Sequence, residues 1–100
     1  MNIRFQAVVN LQVILQPMLW DVLYAQAVET DRTAPMDYQV LINRQGALYN
    51  KRIGFLFFDE RGQINASFAE NIDRKLMAQI VDLLPELNKL DILGKLQGKS

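Results

Sequence analysis

Residues 53–68 read IGFLFFDERGQINASF. Two runs rich in β-branched and aromatic side chains flank Asp59-Glu60-Arg61-Gly62. That tetrad is a hairpin connection, with Gly62 free to take the positive φ that such a turn requires. The return run alternates strictly. Ile64, Ala66 and Phe68 lie on one face, and Gln63, Asn65 and Ser67 on the other. Alternation of period two is the mark of a strand with one face on a core. The outgoing run is apolar on both faces. Ile53, Phe55 and Phe57 are assigned to the core, while Leu56 and Phe58 point the other way. A strand apolar on both sides sits in mid-sheet with both faces covered. A chain of 100 residues has few helices for two faces, so the face of Leu56 and Phe58 is expected to meet a partner or a second copy.

Upstream, Met36 to Asn43 alternates again, with Tyr38, Val40 and Ile42 against Asp37, Gln39 and Asn43, and predicts another strand. Arg44-Gln45-Gly46 turns it. Residues 5–15 place Phe5, Ala7, Val9, Leu11, Val13 and Leu15 at odd positions, with glutamine and asparagine at several even ones; only Val8 and Ile14 break the pattern. This predicts a long first strand whose amide-rich edge lacks the charges that discourage pairing with another chain. Pro17 ends it. Residues 18–29 are then read as a helix, with a strand as the alternative, because Val22, Tyr24 and Val28 also fit β structure. Trp20, the sole tryptophan, is assigned to the core.

Downstream, Ser67-Phe68-Ala69-Glu70 fits a capping box. Ile72, Leu76, Ile80, Leu83 and Leu84 follow at helical spacing, and Pro85 suits the first turn of a further helix. Leu87, Leu90, Leu93 and Leu96 recur every three residues, a pattern of core packing or of a docking tail. The expected architecture is α+β. A mainly antiparallel four-stranded sheet carries helices mostly on one face, in the order β-α-β-β-β-α, within a single domain of residues 1–100.

Composition narrows the function. Eleven Lys+Arg balance eleven Asp+Glu, so no global charge favours nucleic acid or an anionic membrane. With no cysteine and no histidine, disulfides, Cys/His zinc sites and histidine-based catalysis are excluded. The five glycines form no phosphate-binding loop. Asp21 is the lone acid of an apolar stretch and would need a partner such as Arg4 if buried. Asp59 and Glu60 belong to a turn that favours them without any chemistry. No catalytic residue, metal site or cofactor is expected. The N-terminal run, interrupted by Gln6, Asn10, Gln12, Gln16 and Asp21, falls short of the ~18 apolar residues of a membrane span. Its Ala25-Gln26-Ala27 is a weak cleavage signal, and a cytoplasmic location is expected.

One charged feature stands out. Arg44, Lys51 and Arg52 lie within nine residues that contain no acid, and Tyr49 sits among them. The expectation is a non-enzymatic protein-interaction module such as an adaptor, inhibitor or assembly subunit. It would act through the edge of the first strand, the face of Leu56 and Phe58, and the loop carrying Arg44, Tyr49, Lys51 and Arg52. The partner is another protein or a second copy. A small ligand- or nucleic-acid-binding module using the same loop is the alternative, and three cations would make such binding weak and salt-sensitive.

Overall fold

A computed structural model of the protein describes residues 2–20 and 22–98. Four antiparallel strands form a meander in the spatial order of the chain: β1 (Leu23–Glu29), β2 (Tyr38–Gln45), β3 (Asn50–Phe58) and β4 (Ile64–Phe68). Helix α1 (Ile3–Leu15) precedes the sheet. Helices α2 (Arg74–Val81), α3 (Leu84–Lys89) and α4 (Ile92–Leu96) follow it. All four pack on one face, where Ala7, Val8, Leu11 and Leu15 of α1 meet Val40, Ile42, Leu56, Phe58 and Ile64 of the sheet, and Ile80, Leu87, Ile92 and Leu93 close the cluster. The α+β class and the antiparallel sheet with helices on one side are as the sequence predicts.

The N-terminal half assigns its elements the other way round. Residues 5–15 form helix, not strand. Asn2 caps it, its side-chain oxygen accepting from the Arg4 and Phe5 amides. Ala7, Val8, Leu11 and Leu15 fall on one stripe of the helical period, so Val8, which broke the alternation, belongs to the core. An uncharged run with eight apolar residues in eleven satisfies both periods, and tertiary packing decides between them. The helix predicted over 18–29 is a single 3-10 turn (Gln16–Met18) and strand β1. The capping box is also absent: Ser67 lies in β4, and α2 begins seven residues later, after Asp73. Pro85 does sit in the first turn of α3. The serial leucines are mostly core, with Leu87 and Leu93 buried and Leu90 partly exposed.

The largest correction concerns β3. Leu56 and Phe58 retain only 1% and 4% of their exposure, in the core beneath the helices. Phe55 and Phe57 point to the opposite face. The register shows why. Phe58 lies across from Ile64, Leu56 from Ala66, and Gly54 from Phe68, and directly paired residues share a face. The apolar side of β4 therefore selects the apolar side of β3. A bulge between β2 and β3 leaves Ile53 on the core side as well. Gly54 has no Cβ because one would run into the Ser67 carbonyl oxygen and the Phe68 ring. The β3–β4 turn is as predicted, with Gly62 at φ 80°.

Both edges of the sheet carry side-chain amides from the helices. On β1, Gln12 Oε1 accepts from the Ala27 amide at 2.6 Å and Gln16 Oε1 from the Ala25 amide at 2.8 Å. On β4, Asn88 of α3 accepts from the Ile64 amide at 2.7 Å and donates to the Ile64 carbonyl at 3.2 Å. These bonds occupy backbone groups that a further strand would need. The first-strand edge expected to recruit a partner does not exist, and the actual first edge is partly capped by the very glutamines that suggested it.

Helix α1 is tied to the sheet at its start. The Arg4 guanidinium makes two 2.7 Å bonds to the Asp37 carboxylate and lies 5.2 Å from the Tyr38 ring centroid. The Asp37 hydrogen bond raises the pKa of Arg4, and the same bond holds the Asp37 carboxyl below its ordinary value. Asp21, for which Arg4 was the expected partner, lies outside the described residues.

Candidate functional site

Two surfaces follow from this fold. The first is the β2–β3 hairpin. Its strands continue to Gln45 and start again at Asn50, whereas β1 begins opposite Arg44 and β4 ends opposite Gly54. The hairpin therefore projects beyond β4, while on the β1 side the Gln45 amide still donates to the Val22 carbonyl at 2.9 Å; Gly46 donates to the Tyr49 carbonyl to close the tip. Leu48 is 93% exposed and Tyr49 72%. An isolated exposed apolar side chain is ordinary, but a leucine and a tyrosine in succession at a projecting tip gain nothing from the chain's own core.

The four loop residues singled out by sequence are only partly brought together. Arg44, Tyr49 and Lys51 line one recess with Gly46. Arg44 pairs across the strands with both Leu23 and Lys51, which places the two cations on the helix side of the sheet. Arg52 is on the opposite face, donating through Nε to Asn43 Oδ1 at 3.1 Å. The basic cluster is thus two cations and a tyrosine on one side and one cation on the other. Leu56 and Phe58, expected at the same partner surface, are withdrawn from it by burial. Leu48 was not singled out, although an apolar residue between the turn at Gly46 and Tyr49 was the available signal.

The second surface is the sheet face turned away from the helices. Leu41 is buried yet lies outside the core cluster. Its cross-strand neighbour is Phe55, and the Phe55 and Phe57 rings are 6.0 Å apart. Tyr24 and Val28 of β1 share this face, with Asn43, Asn65 and Ser67 around them. Counting residues across the β3–β4 turn would have found it, since Ile64 then falls opposite Phe58. At the far end of the face lies Asp59. Burial works to raise its carboxyl, but the Gln63 and Arg61 amides and the Asn65 side chain donate to it and hold it below the ordinary value.

A smaller apolar groove runs between α1 and α4, lined by Asn10, Val13, Ile14, Leu90, Ile92, Lys95 and Leu96. Among the described residues, no helix is long and apolar enough to cross a membrane. No family model, no curated protein and no solved structure matches the chain.

Proposed function

We propose that the protein is a non-enzymatic protein-interaction module whose β2–β3 hairpin is its docking arm. The observation that supports this is the projecting tip, where Leu48 and Tyr49 stand in solvent beside Arg44 and Lys51. An apolar anchor next to cations fits a groove on a protein that is apolar at its base and acidic at its rim. The two anchors, at about 1.5–3 kcal/mol each when buried, would set most of the affinity. The cations would set the rate of encounter and its salt dependence.

The test compares wild type with a Leu48→Ser/Tyr49→Ser double variant as bait under gentle and high-salt washing. The variant should fold normally, since neither side chain contributes to the core. It should lose a salt-resistant protein partner by roughly a hundredfold or more in affinity. Retention of the same protein by both baits overturns the arm. The nucleic-acid alternative draws on the recess shared by Arg44, Tyr49 and Lys51. It would show instead as oligonucleotide retained only at low salt and released by charge reversal at those two cations.

A further inference from the structure

The uncovered sheet face has a charge pattern that identifies what would cover it. β3 runs through the face, with Phe55 and Phe57 at its centre and Leu41 beside them. Arg52 stands towards the hairpin end, bonded to Asn43. Asp59 follows the other end of the same strand, bonded to Asn65. The two are seven residues apart, of which the bulge at Ile53 absorbs one, so they lie roughly 20 Å from each other at ~3.3 Å per residue. Between them the face carries apolar, amide and hydroxyl side chains and no charge, so it is positive at one end and negative at the other.

We propose that this face seats a second copy of the chain, face to face, about a two-fold axis that crosses the strands near position 56. Such an axis lays β3 over its own copy running in the opposite direction. Position 52 then meets position 59 of the second copy, twice, and Phe55 meets the second copy's Phe57. A two-fold axis along the strands would instead set arginine on arginine and aspartate on aspartate. Stacked sheets sit ~10 Å apart, the depth of one interleaved layer of Phe, Leu and Tyr. Four strands at ~4.8 Å spacing, paired over about six residues, project roughly 400 Å². That is below the ~800 Å² per partner of a standard interface, in the size class of weak, transient contacts, so the dimer is a weak one.

Sedimentation and light scattering from micromolar to millimolar chain concentration test this. The mass should rise from 11.5 kDa towards twice that value. Phe57→Lys should stay folded and monomeric throughout. Arg52→Asp and Asp59→Lys should each weaken the dimer about tenfold at low salt, and the double charge swap should restore it. Salt should weaken the wild-type dimer and strengthen that of Arg52→Asp, a readout that survives if Asp59→Lys disturbs its turn. The proposal is overturned by a wild type that is monomeric at every concentration. It is equally overturned by Phe57→Lys dimerising like wild type, or by a folded double swap as weak as the single changes. The Leu48→Ser/Tyr49→Ser variant should dimerise unchanged, so this inference and the docking arm fail separately.

Discussion

The two faces of β3 carry nearly the same chemistry and meet opposite fates. On one side Leu56 and Phe58 are sealed beneath the helices; on the other Phe55 and Phe57 are only half-buried. Hydrophobicity does not separate them, because three of the four are phenylalanine. What separates them is the neighbouring strand. β4 is apolar only at Ile64, Ala66 and Phe68, and whichever face of β3 shares its side becomes core. A strand apolar on both faces thus takes its orientation from a strand apolar on one.

The widest difference between the faces should appear on introducing a charge. Phe58→Lys is expected to unfold the chain, since an unpaired buried ammonium costs several kcal/mol, comparable to the whole stability of a small domain. Phe57→Lys should cost no more than about 1 kcal/mol, because its ammonium reaches solvent. Thermal melts of the two variants measure the gap, and equal melting temperatures would erase the distinction between the faces.

A middle-sized effect belongs to the helix that covers the core face. Gln12→Leu removes the acceptor for the Ala27 amide, a bond expected to contribute about 1 kcal/mol. It also frees part of the β1 edge. Denaturant titration should show the lost stability, and faster thioflavin-positive aggregation should accompany it. A variant as stable and as soluble as wild type would remove the glutamines from the account of how the edge is guarded.

The smallest effect concerns the tie between α1 and the sheet. The folded pKa of Asp37 lies below its ordinary 3.8. Its bond to Arg4 therefore contributes fully above the unfolded value and is lost as pH falls through the folded one. Both side chains are partly exposed, so the contribution is at most about 1 kcal/mol. Asp37→Asn should lower stability at neutral pH by up to that amount. Unfolding titrations of wild type and variant should converge as pH falls through the lowered folded pKa of Asp37. A constant gap across the acid range would mean that Asp37 acts through packing alone.

Much of the β2–β4 region was legible in the sequence. Period two, a glycine-bearing turn and a proline at a helix start are local signals, and the chain obeys them at Tyr38–Ile42, Gly62, Ile64–Phe68 and Pro85. The absence of cysteine and histidine likewise bounds the chemistry without any coordinates. Residues 5–15 were not legible, because an uncharged run with eight apolar residues in eleven fits period two and period 3.6 alike. Only the stripe of Ala7, Val8, Leu11 and Leu15 against Val40 and Ile42 selects the helix. The candidate site divides in the same way. The basic and aromatic hairpin could be named from composition. That it projects past β4, that Arg52 parts from Arg44 and Lys51, and that Phe57 rather than Phe58 faces outward were settled by strand register. A tight turn fixes register only locally, as between Phe58 and Ile64; the bulge that turns Ile53 to the core, and the side that the helices cover, are decided only when the strands assemble.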